Sequence, residues 1–360
     1  MSTAIYSVIK GTGSYIPTQI IRNEDFLKSE FYETDGKKIE KDNEEIIRKL
    51  FEITTIKERR YVTSDLQTSD IASIAASEAI KSADIDKEEL DYIIVAHNFG
   101  DVRDTNRRMD AVPCLAARVK HNLGIKNPDT VAYDMLFGCP GWLQAVIHAD
   151  YLIRSGDAGK VLVIGADTLS RISDPHDRDS MLYADGAGAT LLEARKSEDP
   201  IGILAHKTRT DTLLYSKMLY MDKSYNPDYK NKDDLFLKMN GRKLYQYAIE
   251  NVPRTIKECL EKSNIHLSEI KKALIHQANG KMDDAILKRL FTLYDIPDVP
   301  EDIMPMTISL LGNTSVATIP TLLDLILKDQ LEPHKINKGD TLVFASVGAG
   351  MNINSLVYKM

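Results

Sequence analysis

The sequence predicts an α/β protein made of two copies of one unit, and three observations carry that prediction. The 360 residues are 43% hydrophobic and 28% charged, enough to bury a sizeable core. The stretches AIKSADIDKEELDYIIVAHNFG (79–100) and CLEKSNIHLSEIKKALIHQANG (259–280) match in pattern at an offset of 180 residues, with Ile85 falling on Ile265, Glu89 on Glu269, Val95 on Ile275 and Gly100 on Gly280. A second stretch, FGCPGWLQAVIHADYLIRSGDAGKVLVIGAD (137–167), returns less closely as LGNTSVATIPTLLDLILKDQLEPHKINKGDTLVFASVG (311–348). Gly159 and Gly339 again stand 180 apart while Gly138 and Gly312 are 174 apart, so a six-residue difference falls in the loop after the second helix. The copies are expected at 1–195 and 196–360.

Each member of the first pair reads as the end of an amphipathic helix, a short polar loop and a strand of apolar β-formers. Each member of the second pair has a Gly, a polar residue, a largely apolar helix, a turn beginning with Gly and an apolar strand. In the first copy DTVAYDM (129–135) reads as a strand, and Trp142, Ala145, Val146, Ala149, Leu152 and Ile153 follow at helical spacing. Pro140 suits the first helical position, where its missing N–H costs nothing, and this places Cys139 at the N-cap. Asn313 occupies the same slot in the second copy and is expected to cap its helix. If the copies pack about a pseudo-dyad, these two helix starts face one another. His276 ends the preceding strand of the second copy, where the first copy has Ala96, and so projects at the C-terminal edge of a sheet, the usual place for a site in open α/β folds.

A net charge of −7 argues against nucleic acid as a partner, because phosphate binding needs a basic field. No run of about 18 apolar residues is present to span a bilayer, and the start, MSTAIYSVIK, lacks the regions of a signal peptide, so a cytoplasmic protein without membrane attachment is expected. Cys114, Cys139 and Cys259 are odd in number and lie 25 and 120 residues apart, which fits neither a disulfide framework nor a metal site.

Cys139 has two readings. A thiol at an N-cap feels the positive end of the helix dipole, which lowers its pKa, and free backbone N–H groups there can hold an oxyanion. The same tight turn also suits a small buried thiol. His276 by itself fits a satisfied structural histidine, and Asn313 a plain N-cap. On one duplicated frame the three read as a single arrangement of nucleophile, histidine and asparagine. A Cys-His-Asn hydrolase uses the same residue types, although the duplication and the cap-like placement of Cys139 and Asn313 count against it.

The stretches GTGSYIP (11–17), IKERRYV (56–62), TSDIASIAASEAI (68–80), the Cys139 turn, YADGAGATLLEA (183–194), HQAN (276–279), GNTSVATIP (312–320) and GDTLVFASVGAGM (339–351) follow one another in a telling order and spacing. In these the sequence resembles the β-ketoacyl-acyl-carrier-protein synthase III family of thiolase-fold condensing enzymes, across nearly the whole chain. The resemblance implies a thiolase-like fold with a five-layered αβαβα core and a homodimer. It implies Cys139 as nucleophile, His276 and Asn313 as its partners, and an oxyanion hole from the backbone N–H groups of Cys139 and Ala349. Val112, Asn279, Lys281 and Gly348 are implied to meet substrate or carrier. The implied substrates are an acyl-CoA or acyl carrier protein thioester and malonyl-acyl carrier protein, joined by decarboxylative Claisen condensation to a 3-oxoacyl product that starts fatty acid synthesis, with no metal or redox cofactor. A catalytically idle relative that only binds acyl chains is the other reading of such a fold, and the intact triad does not favour it.

The chain departs from the family pattern in several places. Thr54-Thr55-Ile56 stands where TGI is usual, and Lys49 where a tryptophan commonly stacks on the adenine of coenzyme A. Val112 aligns with a bulky residue that closes the acyl pocket from the partner subunit, and the turn reads Gly-Cys-Pro-Gly-Trp in place of Cys-Ser-Gly-Phe. Segments 26–45 and 215–234 are expected to be extended surface elements that cover the entrance. The departures point to an acyl donor other than acetyl-CoA, longer or carrier-bound, or to specialised lipid or polyketide synthesis. Lys281, Lys288 and Arg289 fall at helical spacing and suit either an acidic carrier protein or a solvated face. Cys114 and Cys259 are read as structural, and Asp185 as a turn and dimer-contact residue.

Overall fold

A computed structural model describes residues 3–360; Met1 and Ser2 of the start read above lie outside the described residues. Two separate sheets form the frame. The first contains β1 (Ala4–Tyr15), β2 (Tyr92–His97), β3 (Val131–Leu136), β4 (Lys160–Thr168) and β5 (Asp185–Ser197). The second contains β6 (Gly202–Thr210), β7 (Ile270–Ile275), β8 (Thr341–Gly348) and β9 (Asn352–Lys359). Their orders are β1-β5-β4-β2-β3 and β6-β9-β8-β7.

The pairing senses repeat as well. In the first sheet β2 runs parallel to β3 and β4, while β5 is antiparallel to β4 and β1. In the second, β7 runs parallel to β8, while β9 is antiparallel to β8 and β6. The second sheet has no counterpart of β3 among the described residues. An irregular stretch meets its edge instead, with the Ala273 N–H donating to the Ile303 carbonyl at 2.8 Å.

Among the described residues seven main helices cover these sheets: α1 (Asn43–Thr54), α2 (Thr68–Ala83), α3 (Leu115–Asn122), α4 (Gly141–Ser155), α5 (Gly241–Ser263), α6 (Gly280–Thr292) and α7 (Thr318–Leu327). The apolar clusters define the layers. Ala-rich α2 and α3 pack on the outer face of the first sheet, and α5 and α6 on the outer face of the second. Between the sheets lie α4 and α7, whose Trp142, Ile147, Ile319 and Leu323 share one cluster with Val161 of the first sheet and Phe344 of the second. The result is the expected αβαβα sandwich. Strand β4 is buried from Val161 to Thr168, as a strand covered on both faces must be. Helix α7 is buried from Thr318 to Ile326, the all-round burial of a central helix.

The central helices carry a likeness that apolar patterning does not reveal. Asp150 of α4 pairs with Arg154 at 2.9 Å, and Asp324 of α7 pairs with Lys328 at 2.9 Å. Both carboxylates also accept a hydroxyl from β1, from Ser7 at 2.7 Å and from Ser14 at 2.6 Å. A buried carboxylate needs such partners, and one strand supplies them to both helices. No helix among the described residues is long and apolar enough to cross a membrane.

Candidate active site

The β3–α4 turn and the turn after β8 press against each other. Gly138 has φ +66°, and a Cβ there would lie 2.8 Å from the Ala349 nitrogen. A Cβ on Gly348 would lie 2.6 Å from the Cys139 nitrogen. Glycine at both positions lets the Cys139 and Ala349 backbones pack closely. The expected N-cap shifts by one residue: Pro140 is the cap and α4 begins at Gly141, because the Gly141 N–H closes a turn onto the Gly138 carbonyl at 2.9 Å. The unusual Pro-Gly-Trp tail turns inward to the core. Trp142 is buried with its ring centroid 6.2 Å from that of Phe344, so the tail shapes the packing between the sheets.

Cys139, His276, Asn313 and Ala349 line one small cavity of about 60 Å3, walled by apolar side chains such as Phe99 and Leu237. His276 follows β7; its backbone N–H donates to the Ala345 carbonyl at 2.9 Å, and its ring Nδ1 is buried without a hydrogen-bond partner. Burial pushes the His276 pKa down to about 4, so the ring is neutral near pH 7. Asn313 is held on three sides. Its N–H donates to the Leu182 carbonyl and its carbonyl accepts from the Ala184 N–H, each at 2.9 Å, while its Oδ1 accepts from the Ser315 N–H at 2.9 Å. That spends the amide oxygen and leaves Nδ2 as the free donor. Asn313 lies one residue before Thr314, the cap of a short turn, Ser315–Ala317, and α7 starts only at Thr318 with Ala317 as its cap, a correction to the expected direct cap.

The electrostatics of the thiol reverse the expectation. Burial pushes the Cys139 pKa up to about 11; the Asp167 carboxylate adds to the rise, and a hydrogen bond from the Ser315 hydroxyl at 3.4 Å opposes it. The helix start also opposes it, but desolvation of the thiol is the larger effect. Behind Ser315 lies a polar chain that sequence patterning did not single out. The Asn98 amide donates to the Ser315 oxygen at 3.0 Å and to Asp167 at 2.6 Å, and the Asn98 backbone N–H donates to Asp167 at 2.9 Å.

A second cavity of about 470 Å3 adjoins the first and shares Asn313, Ala278 and Met282 with it; Lys41, Lys49, Arg178 and Arg242 also line it. Asn279 lines this larger cavity and caps α6, accepting from the Met282 N–H at 3.1 Å. Gln277, between the two functional positions, is buried and ties down the 305–308 stretch, donating to the Pro305 carbonyl at 2.9 Å. Lys281, Lys288 and Arg289 are exposed along α6. Lys49 pairs with Glu45 one turn earlier on α1.

Val112 is not brought to the site: it is 87% exposed and lines neither cavity. Cys114 and Cys259 also lie outside both cavities, Cys259 fully buried. Asp185 makes no turn. It opens β5, is buried, and accepts from the Val62 N–H, the Ser170 N–H and the Ser170 hydroxyl at 2.9, 2.9 and 2.7 Å, so its partners lie within its own chain.

The two surface segments meet around His176. From the first, the Tyr32 N–H donates to the His176 carbonyl at 2.9 Å and the Glu30 carbonyl lies 3.0 Å from the His176 ring. From the second, the Ser224 hydroxyl and the Tyr225 N–H each donate to Asp174 at 2.8 Å. Lys41 and Leu219 of these segments reach the larger and the smaller cavity respectively.

Family models cover both ends of this arrangement. The model described as 3-oxoacyl-acyl-carrier-protein (ACP) synthase III matches residues 133–212, and that described as its C-terminal part matches residues 260–360. The beta-ketoacyl-acyl-carrier-protein synthase III 1 of Vibrio parahaemolyticus is 35% identical over 358 residues, covering 99% of this chain and 100% of the relative. The chain belongs to the β-ketoacyl-acyl-carrier-protein synthase III family. It is accordingly a condensing acyltransferase with the thiolase-like fold. Among solved structures, the synthase III of Aquifex aeolicus superposes with a TM-score of 0.80 at 30% identity, covering 98% of this chain and 100% of the other. The priming beta-ketosynthase of the R1128 polyketide pathway also superposes at 0.80, with 24% identity and 99% and 96% coverage, a likeness of fold alone.

Proposed function

We propose that Cys139 carries the acyl group and that His276 and Asn313 serve the condensation that follows. The observation that carries this reading is the convergence of Cys139, His276, Asn313 and Ala349, from four separate loops, on one largely apolar cavity. In the first half-reaction Cys139 Sγ attacks an acyl thioester from coenzyme A or acyl carrier protein. The carbonyl oxygen becomes an oxyanion facing the Cys139 and Ala349 N–H groups, and the donor leaves as a thiol with the proton given up by Cys139.

In the second half-reaction malonyl-acyl carrier protein presents its thioester carbonyl to His276 and Asn313. A neutral imidazole and the free Asn313 Nδ2 are both hydrogen-bond donors, so they stabilise the enolate left when CO2 departs. The enolate carbon attacks the acyl-cysteine carbonyl, and the C–Sγ bond breaks with its electron pair returning to Sγ. The product is a 3-oxoacyl thioester two carbons longer than the acyl donor. Both steps are redox-neutral, so the reaction needs no redox cofactor, and the donors named above replace a metal.

Other expectations fit the same reading. Asn279 and the cationic lining of the larger cavity suit the phosphorylated arm of coenzyme A or the carrier, and exposed Lys281, Lys288 and Arg289 suit an acidic carrier protein. Gly348 holds the oxyanion donors in place. A homodimer is supported by the open edge strand β3, where Val131 and Leu136 are 47% and 60% exposed, and by the protruding Val112. Two units, 1–195 and 196–360, acting together in the cytoplasm complete the proposal; each sheet is drawn from one of them up to a two-residue overhang of β5. The test is product mass. Enzyme given acyl-CoA and malonyl-acyl carrier protein should release a 3-oxoacyl carrier protein and one CO2, and free fatty acid as the main product would point to hydrolysis instead.

A further inference from the structure

We infer that Ser315 is a further catalytic residue of this site, donating a hydrogen bond to the Cys139 thiolate, and that Asn98 and Asp167 are the positioning residues that aim it. The inference rests on the reading of Cys139 as nucleophile. It starts from proton counting. Ser315 has one hydroxyl proton, and its oxygen lies 3.4 Å from Cys139 Sγ and 3.0 Å from Asn98 Nδ2. Asn98 Nδ2 can only donate, so the Ser315 oxygen accepts on that side and its own proton is left for Sγ. Asp167 also attracts the Ser315 hydroxyl, but its oxygens already accept from the Asn98 backbone and side chain at 2.9 and 2.6 Å, and the hydroxyl has the geometry to donate to Sγ at 3.4 Å.

Two further features show that this arrangement is imposed by the fold. Asp167 is 1% exposed, a buried carboxyl that the proposed chemistry does not touch. Ser315 has φ +53°, the left-handed region a non-glycine residue rarely adopts. Its N–H is bonded to Asn313 Oδ1 at 2.9 Å, so one strained residue links the carbonyl-binding asparagine to the nucleophile. The negative charge of Asp167 itself disfavours a thiolate, so what the chain transmits is direction.

The chemical role follows from when sulfur carries charge. A thioester sulfur is a poor acceptor and a thiolate a strong one, so the Ser315 bond strengthens as the Sγ–H bond gives way at the start of acylation. It strengthens again when the C–Sγ bond breaks in condensation and the electron pair returns to Sγ. Ser315 therefore serves both half-reactions, whereas His276 and Asn313 serve mainly the second. The other titratable groups around Sγ are neutral His276, the buried Tyr183 hydroxyl, whose pKa burial and nearby carboxylates raise, and His97 behind Asp167.

The test is the pH dependence of Cys139 alkylation by iodoacetamide in the full chain, read by intact mass, for wild type, Ser315→Gly and Asn98→Ala. Glycine accepts the positive φ, so Ser315→Gly removes the hydroxyl without backbone strain, and Ser315→Ala is the second variant if the glycine loosens the turn. Losing a hydrogen bond to a charged group slows alkylation near neutral pH by about 10- to 100-fold. Acylation and condensation then fall together, through kcat with KM kept. Asn98→Ala gives a smaller change in the same direction. A Ser315→Gly profile that superimposes on wild type overturns the inference while leaving Cys139 as nucleophile, and an unchanged Asn98→Ala profile overturns the positioning part. Wild-type Cys139 that takes up no acyl group overturns the underlying reading instead.

Discussion

Two buried histidines stand at the ends of equivalent strands, and their surroundings differ. His97 closes β2 with both ring nitrogens engaged: Nε2 lies 2.8 Å from Asp134 Oδ2, and Nδ1 accepts from the Gly100 N–H at 3.0 Å. His276 follows β7 and lines the cavity that holds Cys139, and its Nδ1 is buried without a partner. A satisfied ring ties a loop to a neighbouring strand, while a ring that lines a cavity remains available to a substrate. The 180-residue offset sets Ala96 opposite His276 and Gln277 opposite His97, so the duplicated frame carries a histidine at the end of each strand one position apart, and the partners around each decide which does chemistry.

Exchanging the fates of the two histidines gives the largest expected effect. His276→Ala should slow condensation by ~10²- to 10³-fold, the usual cost of losing one preorganised oxyanion donor, while Cys139 still acylates within about tenfold of wild type. Steady-state condensation and single-turnover acylation separate the two.

The next effect is on stability against pH. Between pH 6.5 and about 4 the unfolded chain protonates a histidine that the folded chain keeps neutral at position 276. The stability contributed by the neutral ring is complete above pH 6.5 and is lost as pH falls toward 4, a change of about 3 kcal/mol. Asp185 acts oppositely: its pKa is pushed up to about 6 from 3.8, so its contribution is lost as pH rises through that window. Comparing wild type with His276→Gln by urea unfolding at each pH cancels the Asp185 contribution, and the difference should favour the variant increasingly as pH falls.

A smaller effect is expected at the structural partner. His97→Ala leaves the Asp134 carboxylate without its ring partner and should cost about 1–3 kcal/mol of unfolding free energy, with kcat for condensation changed far less than in His276→Ala. A large loss of chemistry with intact stability would break the contrast between the two rings. The smallest effect belongs to the exposed face of α6: Lys281→Glu should raise KM for the carrier-bound substrate by a few-fold at low salt and less at high salt, leaving kcat in place.

Much of this was legible in the chain itself. The 180-residue repeat marks the strands that become β2 and β7, and apolar runs mark the central helices, because burial on every side demands continuous hydrophobicity. Cys139, His276 and Asn313 were legible because each sits at a glycine-marked turn or strand end. The direction of the Cys139 pKa was not, since a helix start is visible in sequence and the desolvation that overrides it depends on everything packed around the turn. The Asp167–Asn98–Ser315 chain was equally hidden, its members lying 69 and 217 positions apart with no shared period. Asp185 looked like a turn residue because DGAGA is rich in glycine, yet those glycines allow close packing along a buried strand.

The central claim is a division of labour, with Cys139 holding the acyl group and His276 and Asn313 handling the malonyl carbonyl. Intact mass spectrometry after incubation with an acyl-CoA, alongside release of CO2 from malonyl-acyl carrier protein, tests it directly. Wild type, His276→Ala and Asn313→Ala should each gain one acyl group, Cys139→Ala none, and only wild type should release CO2 at the full rate. Stoichiometric acylation of Cys139→Ala, or equal loss of acylation and decarboxylation in the His276 and Asn313 variants, would contradict the account.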